Sequence, residues 1–207
     1  DLGVAVVDIG SGVTDIIVYV DGGVFSSATL PWGGSHVTQD LSFGLKIPME
    51  AAELVKRNSG CVQIAAVDPI EKIELPAMSG RPPRWVLRQE IAAIMEPRMR
   101  EIFELVDQEL MRSGKKNALS GGVVITGGGS RVEGAASLAE EVFSMAVRKG
   151  NPLPLGGFFD KVDGPEFATA VGLLIGAAQS TDTARKAPRE SGSGWMQKLR
   201  SWVSENL

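Results

Sequence analysis

The stretch Val4-Ala5-Val6-Val7-Asp8-Ile9-Gly10-Ser11-Gly12-Val13-Thr14-Asp15-Ile16-Ile17-Val18-Tyr19-Val20 decides the fold. Val4 to Val7 is a short continuous apolar run, the pattern of a strand buried on both faces. Ile16 to Val20 reads as a second strand, Asp21-Gly22-Gly23 as a hairpin turn and Val24 to Leu30 as a third strand. The segment Asp8 to Asp15 joining the first two strands has the chemistry of an anion site. Gly10 and Gly12 lack a Cβ, so backbone N–H groups can close on a phosphate. Ser11 and Thr14 add hydroxyl donors, and Asp8 at the strand's carboxyl end can hold a hydrated magnesium ion beside that phosphate. A plain glycine hairpin capped by Asp8 would use the same residues, and this segment alone leaves both readings open.

A second segment repeats the design. Gly122 to Thr126 reads as a buried strand, Gly127-Gly128-Gly129-Ser130 as its turn and Val132 to Phe143 as a helix. Three glycines at a strand's end leave a flat surface on which an adenosine could settle, and the helix start favours phosphate. An ordinary strand-to-helix turn reads the same way. Two such half-sites about 115 residues apart say more than either alone.

Between them the chain alternates helices and short strands. Gly33-Gly34-Ser35 precedes a helix to Leu45; Pro48 opens another over Met49 to Asn58, and Gly60 stops it. Ile64–Val67 and Ile70–Leu75 read as two short strands and Gly80–Arg84 as a loop. Apolar spacing predicts a long helix over Val86 to Met111, kinked or split at Pro97. A short strand at Val147-Arg148 and a helix from Phe167 to Ala178 follow. Residues 179–194 hold no large apolar side chain and read as a flexible linker. Beyond it, Trp195, Leu199, Trp202, Val203 and Leu207 fall on one stripe of a helix, with Gln197, Lys198, Arg200, Ser201, Ser204 and Glu205 on the other face. Tryptophans and cations on a short amphipathic helix after a linker read as an in-plane membrane anchor that meets anionic headgroups. Docking of the same helix on a protein surface is the competing reading.

Composition bounds the rest. The chain has 207 residues and a net charge of −4, which argues against a general nucleic-acid binder. Residues 179–207 run against that balance, with five basic side chains and three acidic ones. One cysteine leaves no disulfide framework, and one histidine argues against a His-rich metal site or a Ser-His-Asp triad. No apolar run reaches the ~18 residues a membrane-spanning helix needs, and the opening Asp1-Leu2-Gly3 has no signal-peptide character. His36 could face the cleft, a polar helix-start role being the competing reading, and Cys61 reads as a small buried apolar residue. Glycine is abundant, 25 residues, and its placement carries the fold.

The order and spacing of the two glycine turns, with Pro165-Glu166-Phe167-Ala168-Thr169-Ala170-Val171-Gly172 beyond them, resemble the second half of the actin, sugar kinase and Hsp70 superfamily. Gly33-Gly34-Ser35-His36-Val37-Thr38-Gln39-Asp40, Pro48-Met49-Glu50 through Gly60-Cys61, Arg81-Pro82-Pro83-Arg84, Arg88-Gln89-Glu90 through Glu96-Pro97-Arg98 and Val147-Arg148-Lys149-Gly150 narrow the likeness to the FtsA family of bacterial cell-division proteins.

That resemblance implies an α/β, actin-like (ribonuclease H-like) fold. Residues 1–60 and 119–178 would form subdomain IIA, residues 61–118 an inserted small α/β subdomain IIB, residues 179–193 a disordered linker and residues 194–207 the amphipathic membrane-targeting helix. It implies ATP and Mg²⁺ as cofactors. Asp8, Gly10, Ser11, Gly12 and Thr14 match the phosphate motif, with Asp8 orienting the metal. Gly127, Gly128, Gly129 and Ser130 match the adenosine motif, and Glu53 and Lys56 face ribose and base; an exposed ion pair is the alternative for those two. Asp15 stands where some relatives place a residue that positions water, and no catalytic residue is assigned. Weak or no ATP hydrolysis and a mainly non-enzymatic role are expected. Arg84, Arg98 and Glu101 are the expected contacts for the FtsZ C-terminal tail, a solvated helix face being the bland reading of these charges. Further implied partners are other copies of the chain in a filament, anionic lipids and later division proteins, at the cytoplasmic face of the bacterial inner membrane. A PilM-like pilus-assembly protein or a phosphotransferase of the same superfamily is the alternative.

Overall fold

The computed structural model describes residues 3–75, 82–154 and 162–186, with side chains as far as residue 179. The chain falls into two units, Asp1–Val171 and Gly172–Leu207.

The first unit is built on a five-stranded sheet. β1 (Val4–Ile9), β2 (Thr14–Val20) and β3 (Gly23–Leu30) form an antiparallel meander. Asp21 and Gly22, both with positive φ, make its second turn, the backbone twist a tight hairpin needs. β6 (Val123–Thr126) lies parallel on the other side of β1, and β7 (Val147–Lys149) lies parallel to β6, giving the order β3-β2-β1-β6-β7. β6 is buried along its length, as its apolar run predicts. β1 is not: Ala5, Val7 and Ile9 are sealed, whereas Val4, Val6 and Asp8 on the other face are half-buried. The expectation of a strand buried on both faces is corrected there.

Helices α1 (Gly34–Leu45), α2 (Met49–Ser59), α3 (Arg88–Arg112) and α4 (Ala135–Phe143) share one core with the sheet. Phe103 of α3 meets Phe143 of α4 edge-on, centroids 5.6 Å apart, both fully buried. Removing either ring would cost about 3–5 kcal/mol. α3, which lies in the stretch expected to form the inserted small subdomain, shares this core of helices and sheet. A two-stranded antiparallel sheet, β4 (Lys72–Leu75) with β5 (Arg84–Leu87), precedes it.

Several local expectations are revised. Arg84–Leu87 is a strand paired with β4, and α3 starts at Arg88, where the Glu90 carboxylate accepts the Leu87 N–H. Pro97 does not split α3. It and Ala93, whose carbonyl loses its helical donor, both lie on the exposed side, where water can serve that carbonyl. Ile64–Ala66 is a 3-10 turn rather than a strand, because the Ile64 N–H goes to the Glu96 carboxylate at 2.8 Å. The helix expected from Val132 starts at Ala135, after a 3-10 turn over Gly128–Arg131 and a left-handed Gly134. Gly60 ends α2 with ordinary extended φ; it is glycine because a Cβ would sit 2.3 Å from the Lys56 carbonyl oxygen.

α5 (Ala168–Lys186) begins in the first unit. In the second unit it runs from Gly172 to Lys186, eight residues past the predicted helix end at Ala178 and into the stretch read as a linker. The remainder of that stretch and the whole amphipathic segment, Trp195, Leu199, Trp202, Val203 and Leu207 included, lie outside the described residues. No helix among the described residues is long and apolar enough to cross a membrane.

Candidate functional site

β1 and β6 are parallel neighbours with Asp8 opposite Thr126, so their carboxyl ends coincide and both glycine turns emerge at one edge of the sheet. That edge is where open α/β sheets hold ligands. The second turn lies directly on the end of β1: a Cβ on Gly129 would stand 2.3 Å from Ile9 Cγ2, and one on Gly127 2.2 Å from Asp8 Oδ1. Gly127 also has φ 79 and ψ 169, a conformation only glycine takes at low cost.

Gly10, Ser11, Gly34, Glu53, Lys56, Gly128, Gly129, Arg131 and Glu166 line a single cleft of about 620 Å³, a size suited to a nucleotide. The first turn is built around spent carbonyls and unspent amides. The Gly10 and Ser11 carbonyls accept the N–H groups of Gly34 and Ser35 at 2.9 and 2.8 Å, which fixes the loop against the start of α1. Gly33 has no room for a side chain there, since a Cβ would lie 2.6 Å from the Ser11 oxygen. The Ser11 and Gly12 N–H groups have no backbone acceptor among the described residues, and both residues are exposed. A Cβ on Gly12 would meet nothing within 4 Å, and one on Gly128 would come no closer than 4.0 Å to Glu166. Open glycines with free donors can receive a phosphate chain, although Gly12 and Gly127, both expected ligands, flank the cleft and are not part of its lining.

Glu53 and Lys56 form the polar wall. Lys56 Nζ stands 2.6 Å from Glu53 Oε2 and donates to the Gly34 carbonyl at 3.0 Å. The Lys56 side chain is 11% exposed and Glu53 43%. Thr38, which sequence reasoning passed over, joins them: its hydroxyl donates to Glu53 at 2.5 Å and lies 2.8 Å from Lys56 Nζ. Its one signal is its place four residues after Gly34, which puts it on the inner face of α1. Burial pushes the Glu53 carboxyl up, but the hydrogen bonds from Lys56 and Thr38 and the charges of Lys56 and Arg57 outweigh it and hold the group below its ordinary value.

Two expected ligand residues are corrected. Thr14 is fully buried and its hydroxyl donates to the Trp32 carbonyl at 2.8 Å. Ser130 is fully buried and donates to the Gly127 carbonyl at 2.8 Å. Both brace their turns instead of facing the cleft. Asp8 sits beside the cleft rather than in its lining, on the half-buried face of β1, with Oδ2 accepting the Thr169 hydroxyl. Among the described residues no cluster of three or more His, Cys, Asp or Glu could hold a metal unaided. Asp8 supplies one carboxylate at the end of β1, beside the turn that carries the free Ser11 and Gly12 amides, and a magnesium ion there would have to bring its remaining oxygen ligands as phosphate and water.

Two arginines tie this edge to its surroundings. Arg88 donates from Nε to the Ser59 carbonyl at 2.9 Å, from Nη1 to Glu71 at 3.1 Å and from Nη2 to Glu133, joining the end of α2, the approach to β4 and the residue just past the second turn. Arg131 pairs with Glu166 across the mouth of the cleft.

The expected partner residues lie on another face. Arg98 donates from Nε to Asp40 Oδ2 at 2.6 Å and from Nη2 to Asp40 Oδ1 at 3.3 Å, pairs with Glu101 through Nη1, and lies 5.3 Å from the Trp32 ring centre. Arg84 donates to the Leu45 carbonyl at the far end of α1. The structure thus joins Arg98 to Glu101, places Arg84 along the same helix α1, and adds Asp40 and Trp32.

Comparison with known proteins gives the fold and the family. The family model described as cell division protein FtsA matches residues 5–172. Cell division protein FtsA of Pseudomonas aeruginosa is 38% identical over 215 residues, covering all of this chain and 52% of that protein. The chain spans about half the length of the curated relatives it matches. Among solved structures, MreB5 of Spiroplasma citri bound to ADP superposes with a TM-score of 0.64 at 18% identity over 90% of this chain and 56% of that one. A PilM–PilN type IV pilus biogenesis complex superposes at 0.63 with 21% identity, over 84% and 46%. At those identities the likeness is one of fold, and it is the actin-like fold. Sequence makes the finer distinction: the chain belongs to the FtsA family of cell-division proteins.

Proposed function

We propose that the chain is the nucleotide-binding second half of an actin-like cell-division protein that binds ATP with Mg²⁺, assembles into filaments, and ties the FtsZ ring to the cytoplasmic face of the inner membrane. The observation that carries this reading is the convergence of two glycine turns, 115 residues apart in sequence, on one cleft walled by Lys56 and Glu53. Gly10, Ser11 and Gly12 would take the phosphates through backbone N–H groups, Gly127, Gly128 and Gly129 would give the base a flat floor, and Lys56 and Glu53 would meet the sugar. A bound nucleotide would supply the anionic charge that these donors meet; the chain's residues would bind and orient it, and none is assigned to catalysis.

Three further contacts belong to the same reading. Arg84, Arg98 and Glu101 would receive the FtsZ tail, with Asp40 as the internal competitor for Arg98. Trp195, Leu199, Trp202, Val203 and Leu207 would lie in anionic lipid, weakly for one copy and firmly for a filament. Later division proteins would join the assembled filament. Membership of the FtsA family supports this over the PilM-like and phosphotransferase alternatives.

The test is titration of a fluorescent ATP analogue with magnesium, comparing the unsubstituted protein with Gly128→Val. A Cβ there comes no closer than 4.0 Å to Glu166, and Gly128 lines the cleft, so the added side chain competes with the ligand for that space. Affinity should fall at least about tenfold with the melting temperature unchanged. Equal affinity in the two proteins would move the site elsewhere.

A further inference from the structure

Asp8 lies between two different elements. Its Oδ1 lies against the Gly127 backbone so closely that a Cβ there would stand 2.2 Å away, and its Oδ2 accepts the hydroxyl of Thr169, in the first turn of α5 and 161 residues distant. The position of Thr169 is itself fixed. The Pro165 carbonyl accepts the Gly127 N–H at 3.1 Å, bolting the approach to α5 onto the end of β6. The Thr126 hydroxyl donates to the Gly150 carbonyl at 2.9 Å, and its oxygen lies 3.2 Å from the Pro165 carbonyl. Across the β1–β2 register, Asp15 stands opposite Asp8 and is held the same way, by the Thr29 hydroxyl at 2.6 Å. A hydroxyl on each of these facing carboxylates fixes its orientation and offsets the repulsion between like charges on adjacent strands.

We infer that Thr169 is a positioning residue for the metal: its hydroxyl aims the Asp8 carboxylate, so that the remaining lone pairs of Oδ1 and Oδ2 meet the water shell of a magnesium ion carried by a bound nucleotide. A carboxylate offers about four lone-pair sites, so one donated hydrogen bond orients it without saturating it. Outer-shell hydrogen bonds of this kind tune metal affinity. This inference rests on the nucleotide reading above, and it assigns α5 a role at the site besides packing.

The test measures affinity for a fluorescent ATP analogue twice for each protein, with excess magnesium and with EDTA, and takes the ratio. The unsubstituted protein should bind more tightly with magnesium. In Thr169→Val, which keeps the shape and removes the hydroxyl, that advantage should fall about tenfold while the EDTA affinity stays the same. Thr169→Ser should restore it. In an Asp8→Asn background, Thr169→Val should change nothing further. A ratio unchanged in Thr169→Val, or raised because the hydroxyl competes with the metal, overturns the inference while leaving nucleotide binding intact. An equal loss with and without magnesium assigns Thr169 to packing and overturns it as well. Should Thr169→Val not fold, Thr169→Ser against Thr169→Ala gives the same comparison. No binding by the unsubstituted protein in either buffer would overturn the nucleotide reading and this inference together.

Discussion

The glycine-turn edge of the sheet and the Asp40–Arg98 face of α1 and α3 are both polar, but their hydrogen bonds are spent differently. At the sheet edge the carbonyls are used and the amides of Ser11 and Gly12 are not. On the other face the guanidinium of Arg98 is already met by two carboxylates and an aromatic ring. Unspent backbone donors on open glycines leave room and hydrogen-bonding capacity for a ligand. Saturated charges mark a join within the molecule, which a partner must compete for or extend. The comparison teaches that a cluster of arginines says less about binding than two amides with nothing to hold.

The strongest way to break this contrast is at the glycines. Gly127→Ala should destabilise the protein by about 2–4 kcal/mol, because it adds strain at a glycine-only conformation to a clash with Asp8 and Ile9. Thermal melting should show a midpoint lower by about 5–15 °C. Gly12→Ala is the control: with nothing near its Cβ, stability should stay within about 0.5 kcal/mol while magnesium–nucleotide affinity falls. Equal destabilisation by the two would show that both turns are merely structural.

The Arg98 face gives intermediate effects. Arg98→Ala should cost about 1 kcal/mol, since the pairs are partly exposed and screened, and should weaken capture of the acidic FtsZ tail peptide. Asp40→Asn sharpens the point: it releases Arg98 from its internal partner. Tail affinity should then rise about threefold, read by peptide fluorescence anisotropy. A fall in affinity would place Asp40 itself in the partner's footprint.

The smallest effect expected is titration of Glu53. Its folded-state value lies below its ordinary 4.5, so its contribution is full above that value and is lost as pH falls through the lowered one. Glu53→Gln should therefore flatten the acid limb of the stability profile, by under about 1 kcal/mol because the group is well exposed. Unchanged acid sensitivity in urea melts from pH 6 to 3 would show the Lys56 and Thr38 bonds to be energetically idle.

Much of this was legible in the residue pattern. Apolar runs ending in glycines located β1, β6 and the edge they share, because buried parallel strands and Cβ-free turns leave a local mark. Thr14 and Ser130 were misread because a hydroxyl's identity does not reveal its direction; burial turned both inward. Thr38, Asp40, Thr169 and Glu133 went unseen because their partners lie 15 to 161 residues away. The β5 strand was taken for loop and helix because its pairing with β4 is tertiary, and Pro97 proved harmless because its helix face is exposed.

The central claim, that two distant glycine turns serve one nucleotide, is tested most directly by hydrogen exchange of backbone amides with and without magnesium and ATP. Slowed exchange at residues 10–12 and 127–130 together, with the same dependence on ATP concentration, is the result expected. Protection of one turn alone, or of neither, would contradict the shared cleft.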